Sequence, residues 1–352
     1  MPANHSVSRD ARRGTRGLSH GANAVSLSYD PFKLEPRLFD PALVDAETRS
    51  INAAIVERLN EVADQWSLPP AEVRAARAAG LGAFPAPVLS PRARTLDIPG
   101  PDGKVPLRIF EPQDANGQPV SPRGAFLHIH GGGWTFGTAD GQDPRLERLA
   151  DRLGVVVVSV EYRLAPENPY PAGPDDCEAA ALWFINEGAS RFGVDKLFIG
   201  GESGGAHLAL VTLLRLRDKH NLRPFHAAVL MAGCFDLALT PSVRRWGDEK
   251  LVLNTRDIEK FVECFIGDAD PAPADISPLN ADLRDLPPVH LSVGTLDPLL
   301  DDTLFLHARW VAARNQAELA VWPGGAHVFI AFGGNLADKA LSRAEDFLAR
   351  FL

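Results

Sequence analysis

Lys196-Leu197-Phe198-Ile199-Gly200-Gly201-Glu202-Ser203-Gly204-Gly205-Ala206-His207 is the stretch that decides the fold. Its first third is a short apolar run of strand length, Leu208–Leu216 continues it as a helix, and Gly-x-Ser-x-Gly lies between. A strand, a tight turn and a helix in that order lift the serine hydroxyl to the carboxyl end of a sheet. Such a turn strains the serine backbone, so the flanking positions must be glycine to avoid clashes. The helix N-terminus behind Ser203 adds partial positive charge for a developing anion.

Outward from this turn, buried strands alternate with helices. The strand candidates are Ala125–His130, Val155–Val160, Lys196–Ile199, Ala227–Met231, Val289–Val293 and Glu318–Val321. Several are continuous apolar runs, the pattern of strands covered on both faces. Helices are expected over Cys177–Glu187, Leu208–Leu216 and Leu304–Ala313. A hairpin precedes them: Thr95-Leu96-Asp97-Ile98, the turn Pro101-Asp102-Gly103, then alternation from Val105 to Phe110. The fold class is therefore α/β, a mostly parallel, doubly wound sheet with an antiparallel start. Before the hairpin, Ile51, Ile55, Leu59 and Val62 fall on one helical stripe with Glu57 and Glu61 off it. Pro69-Pro70 is expected to end that helix, with a second over Ala71–Ala79. The domain reading is a flexible tail over residues 1–30, an N-terminal helical cap over 31–92 and a catalytic domain over 93–352. Trp246, Phe261 and Phe265 mark residues 236–275 as an excursion that returns to the cap.

Composition narrows the function. The chain of 352 residues is 45% hydrophobic and 23% charged, ordinary for a globular protein. Its net charge of −9 and its scattered Lys and Arg argue against a nucleic-acid partner. No stretch approaches the ~18 apolar residues of a membrane span. The Arg-containing start, with Arg9, Arg12, Arg13 and Arg16, lacks the apolar core of a secretory signal. Cys177, Cys234 and Cys264 cannot all pair and match no zinc spacing, so they read as small hydrophobes in a reducing compartment. The expected location is cytoplasmic.

A serine hydroxyl needs a base to become nucleophilic near neutral pH. Gly-x-Ser-x-Gly at a strand–helix turn is the signature of the α/β-hydrolase fold, whose chain order is Ser, then an acid, then His. Of the ten histidines, His290, His307 and His327 lie well beyond the serine helix. His290 is inside a strand and His307 is mid-helix, which leaves His327, after the loop Pro323-Gly324-Gly325-Ala326, as the base. Asp297 closes Leu291-Ser292-Val293-Gly294-Thr295-Leu296 and is the expected orienter of that imidazole. Asp301 and Asp302, where the next helix begins, read as helix caps.

His130-Gly131-Gly132-Gly133-Trp134 follows the strand Ala125–Ile129. Three successive glycines let backbone N–H groups turn inward toward a tetrahedral oxyanion. The loop lacks the Gly-Lys-Ser/Thr of a phosphate loop and the spacing of a dinucleotide fingerprint. His128 and His130 resemble a metal pair, but no third ligand follows at a suitable spacing, so no metal is expected. Trp134 is a substrate-binding candidate as a pocket wall, with plain packing as its other reading.

Taken together, the chain resembles the hormone-sensitive-lipase-like esterases, from about Leu107 to Val328. The resemblance rests on His130–Trp134, on Glu161-Tyr162-Arg163-Leu164-Ala165-Pro166-Glu167 with Pro171-Ala172-Gly173 and Asp175-Asp176, and on Gly201–Gly205. Ile276-Ser277-Pro278-Leu279, Leu286-Pro287-Pro288 and Asp297-Pro298-Leu299 extend it. It implies an oxyanion hole from the N–H groups of Gly132, Gly133 and Gly204, and a helical cap. It also implies a small-molecule ester substrate of short to medium acyl length, no cofactor and a homodimer. The Tyr162–Glu167 stretch is structural in that family, and Arg163 and Glu167 are expected to pair locally. Two departures stand out: Gly204 replaces the usual alanine, and the Pro323–Ala326 loop lacks the bulkier residue common there. A deacetylase or amidase with the same triad, and a ligand-binding receptor on the same scaffold, are the alternative functions.

Overall fold

The computed structural model describes residues 34–352; the tail expected over residues 1–30 lies outside the described residues. Two helices come first, α1 (Ala46–Glu61) and α2 (Pro70–Ala78). The antiparallel pair β1 (Arg94–Gly100) and β2 (Gly103–Phe110) follows, then β3 (Gly124–Ile129), α3 (Asp143–Leu153) and β4 (Val155–Val160). After these come α4 (Ala172–Trp183), α5 (Ala189–Phe192), β5 (Leu197–Glu202), α6 (Gly204–His220) and β6 (Ala227–Met231). The chain then leaves the sheet through α7 (Pro241–Trp246) and α8 (Thr255–Ile266). It returns with β7 (Val289–Leu296), α9 (Leu300–Ala312), β8 (Ala317–Ala326) and α10 (Gly334–Ala349).

The eight strands lie in the order β1-β2-β4-β3-β5-β6-β7-β8. β2 pairs antiparallel with β1 and β4, and every later pairing is parallel. Period-two alternation divides the strand side chains between two cores. Ala125, Leu127, Ile129, Val156, Val158 and Val160 face one side with α4, α6 and α9. Phe126, Val155, Val157 and Phe198 face the other with α3 and α10. A sheet covered on both faces explains why β3, β4 and β6 are buried at every position and largely apolar.

Residues Pro36–Leu352 form one compact unit. Within it the early helices and the excursion after β6 are stitched together. Trp66 Nε1 and Gln65 Nε2 donate to Asp257 Oδ1 at 2.6 and 3.1 Å, and Arg256 pairs with Asp64 at 2.7 Å. Asp257 also closes a capping box with Asn254 at the start of α8.

Several sequence expectations need correction. α1 stops at Glu61, well before the prolines, and Pro70 instead opens α2. Proline suits that first helical position, because its missing N–H would have had no partner. β8 runs through Pro323 to Ala326, so the supposed loop is strand. Its ladder bonds go only to β7, and an edge strand tolerates a residue that cannot donate. Arg163 does not pair with Glu167: it grips Asp176 and Asp102, while Glu167 takes both prongs of Arg74. Nor do Asp301 and Asp302 cap α9. Asp302 accepts from Phe235 N, Asp236 N and Thr240 Oγ1, and Asp301 accepts from Ser242 N. Both fasten the chain leaving β6 to the first turn of α9.

Candidate active site

Because β3, β5, β7 and β8 are parallel, their carboxyl ends share one edge, and each delivers one part of the site there. Ser203 stands between β5 and α6 with φ 54° and ψ −124°, the strained turn anticipated from its glycines. A Cβ at Gly201 would lie 2.2 Å from Ile129 O, and one at Gly205 2.0 Å from the same oxygen. Both neighbours of the elbow must therefore be glycine for steric reasons alone.

His327 follows β8 and Asp297 follows β7. His327 Nε2 is 2.9 Å from Ser203 Oγ, and its Nδ1 is 3.1 and 3.0 Å from the two Asp297 oxygens. Asp297 also accepts from Leu299 N at 2.9 Å, which fixes the carboxylate. Asp297 and His327 are buried, whereas Ser203 keeps partial exposure. The three residues chosen by elimination are thus brought into one hydrogen-bonded chain. Such a chain can take a proton from the hydroxyl and return it to a leaving group.

The triglycine loop passes beside the serine. Gly132 and Gly133 adopt φ 118° and 59°. A Cβ on Gly132 would meet Phe136 O at 1.9 Å, so the loop closes only with glycine there. Among the described residues, the N–H groups of Gly132, Gly133 and Gly204 donate to no protein acceptor, while Ser203 N is taken by Met231 O at 2.8 Å. A Cβ on Gly204 would sit 3.3 Å from Gly133 N and 3.2 Å from Trp134 N, which places these backbone segments side by side. The unusual glycine at 204 therefore belongs to a tight approach of the triglycine loop to α6.

Trp134 is 3% exposed, stacks on Phe265 at 4.6 Å and donates from Nε1 to His207 Nδ1 at 3.1 Å. These are packing contacts. Burial pushes His207 down to about 4, partly opposed by its 2.8 Å bond to Ile276 O, so the ring is neutral and can accept from the indole.

Two participants escaped the sequence reading. Glu202 is buried under the elbow; its Oε1 accepts from Gly131 N at 2.8 Å and its Oε2 from Arg145 at 2.5 Å, with His128 Nε2 at 3.1 Å. Burial alone would raise this carboxyl, but Arg145 and His128 more than offset it and hold it well below the usual carboxylate range. Glu202 thereby ties the start of the triglycine loop to the end of β5. His128 and His130 do not face each other as ligands: His128 bonds Ser159 and Glu202, and His130 stacks on Tyr162 at 4.2 Å. Phe261 of α8 is the second. Its ring occupies the space where a Cβ of Gly133 would stand, with Trp66 edge-on at 4.9 Å. An acidic residue at the variable position of the serine motif was the available signal for Glu202; Phe261 was read as an aromatic of the excursion, with nothing local to place it against Gly133.

Residues 126–331 match a family model described as an alpha/beta hydrolase fold. The acetyl esterase of Salmonella choleraesuis (strain SC-B67) is 32% identical over 264 residues, covering 73% of this chain and 80% of that protein. The chain belongs to the hormone-sensitive-lipase-like esterase family. Solved structures agree with the assignment. A hyperthermophilic esterase from the archaeon Pyrobaculum calidifontis superposes with a TM-score of 0.77 at 25% identity, covering 87% of the esterase described here and 98% of that chain. A bacterial esterase of the hormone-sensitive lipase family gives 0.74 at 27% identity, covering 88% and 99%. Among the described residues of this esterase, no helix is long and apolar enough to cross a membrane.

Proposed function

We propose that the protein hydrolyses carboxylic esters of short to medium acyl length by two-step acyl transfer through Ser203. His327 takes the Ser203 proton as Oγ adds to the ester carbonyl, and Asp297 stabilises the resulting imidazolium. The N–H groups of Gly132, Gly133 and Gly204 receive the oxyanion, each such donor being worth on the order of 3 kcal/mol. His327 protonates the departing alcohol, then activates a water that releases the acid and restores Ser203. The observation that carries this reading is the unbroken chain from Ser203 Oγ through both ring nitrogens of His327 to Asp297.

Acyl size is supported by two things. The Salmonella relative is named an acetyl esterase, and Phe261 crowds the outer face of Gly133 with Trp66 behind it. Buried, unpaired Cys177 and Cys234 support a reducing, cytoplasmic setting. The test is a p-nitrophenyl ester series from acetate to palmitate with wild type and Ser203→Ala. The wild type should peak at or below about eight carbons, and the variant should lose about six orders of magnitude in turnover if the triad acts as a unit. Hydrolysis by Ser203→Ala close to the wild-type rate sinks the mechanism, and a peak at palmitate sinks the acyl range.

A further inference from the structure

α2 lies along the oxyanion loop through two arginines one turn apart. Arg74 is fully engaged: it donates to Thr135 O and Ala165 O and makes a two-pronged pair with Glu167. Arg77 is not. Among the described residues its guanidinium makes one hydrogen bond, from Nη2 to the neutral Gln65 Oε1 at 2.8 Å, and no carboxylate lies within ion-pairing distance. Its central carbon sits 4.5 Å from the ring centroid of Phe136 and 5.8 Å from that of Phe84. Phe136 closes the turn against Gly132, and Phe84 stacks at 5.1 Å on Phe332, which follows His327. The cation therefore lies between the oxyanion side and the histidine side of the site. Arg77, Phe84, Phe332, Gly132 and Ser203 each keep partial exposure.

A guanidinium drawn this far out of water is costly unless a counter-charge or ring faces compensate. Burial pushes Arg77 down to about 10, and the field of Asp257, reached only through Gln65, offsets part of this. Other desolvated arginines here have direct acidic partners: Arg108 with Asp143, Arg145 with Glu202 and Arg215 with Asp275. Among the described residues Arg77 has no direct acidic partner, and unlike Arg58, whose guanidinium donates to two backbone carbonyls, it makes a single hydrogen bond. Its fork-shaped donor set suits a planar carboxylate.

We infer that Arg77 is a specificity residue that receives a carboxylate carried by the ester substrate, so that the preferred substrates are anionic esters such as dicarboxylic hemiesters or acylated hydroxy acids. This rests on the esterase reading of Ser203. A net charge of −9 would by itself disfavour an anionic substrate, so preference for one requires a local cation.

The experiment compares matched substrates: p-nitrophenyl hemiglutarate against p-nitrophenyl pentanoate for an anion on the acyl side, and 4-acetoxybenzoate against phenyl acetate for one on the alcohol side. Wild type should favour the anionic member of at least one pair in kcat/KM. Arg77→Gln should lower that ratio roughly 10- to 100-fold, the scale of a lost hydrogen bond to a charged group, with the neutral member within about threefold of wild type. Arg77→Lys should restore part of the ratio. A merely structural prop for Phe136 would lower both members together and leave the ratio fixed. The inference falls if wild type rejects both anionic esters or if the ratio survives Arg77→Gln. Labelling by a fluorophosphonate separates the two levels: a wild type that labels at Ser203 yet shows no anion preference refutes Arg77 alone, whereas a wild type that does not label refutes the esterase reading itself.

Discussion

Replacing Glu202 with Gln removes one negative charge and changes almost no volume, and the site depends on that charge. The carboxylate accepts Gly131 N on one oxygen and Arg145 on the other, with His128 beside it. The amide keeps a single acceptor. If it serves Gly131, its NH2 faces the Arg145 guanidinium, donor against donor; if it serves Arg145, Gly131 N is orphaned at the start of the oxyanion loop. Breaking a buried pair from one side costs about 3–5 kcal/mol. Arg145 is 18% exposed, which lets water relieve part of the loss, so we take about 3 kcal/mol. Unfolding entropy of ~2.1 cal/mol/K per residue over roughly 320 residues is about 0.7 kcal/mol/K, so the midpoint should fall by about 4 °C. Loss of one oxyanion donor costs about 10²–10³ in kcat. Here the donors are displaced rather than deleted, so a fall of about 10- to 100-fold is expected, with KM little changed. Scanning calorimetry and p-nitrophenyl acetate kinetics read both numbers. A variant within twofold of wild type in kcat, melting at the same temperature, would refute the tie between Glu202 and the loop.

Phe261→Ala opens space against Gly133. Each newly buried methylene is worth about 0.8 kcal/mol, so two of them should raise the kcat/KM ratio of octanoate to acetate roughly tenfold; an unchanged ratio with a lower melting point would assign Phe261 to packing alone. His207 sits near 4 in the fold against 6.5 when free. Between those values the unfolded chain binds a proton that the folded chain refuses, so stability is lost as pH falls from about 6.5 toward 4. The contribution of His207 from pH 7 to pH 4.5 is about 2–3 kcal/mol. Urea midpoints at the two pH values should therefore differ more for wild type than for His207→Asn, and equal differences would contradict a neutral buried ring.

The elements that chemistry makes local were legible in the sequence. Gly201, Ser203 and Gly205 announced a turn that only glycine can flank, and the largely apolar runs Val155–Val160 and Ala227–Met231 announced strands covered on both faces. Chain order then selected His327 and Asp297 without any view of the fold. What stayed hidden depends on tertiary pairing. Arg163 was matched to Glu167, four residues along the chain, but Asp176 and Asp102 meet it in the folded chain. Asp302 looked like a cap because it opens a helix, yet it reaches Phe235 and Thr240, far back along the chain. β8 hid its last residues behind Pro323 and two glycines, which only an edge position permits. Phe261 was read only as one of three aromatics marking the excursion after β6, since its place at the site comes from the missing side chain of Gly133.

The most direct test of the account is where an activated phosphonate becomes attached. Intact mass and peptide mapping after fluorophosphonate treatment should show one adduct, on Ser203, formed in wild type and absent from Ser203→Ala, with labelling slowed by orders of magnitude in His327→Ala. An adduct on another residue, or undiminished labelling without the imidazole, would contradict it.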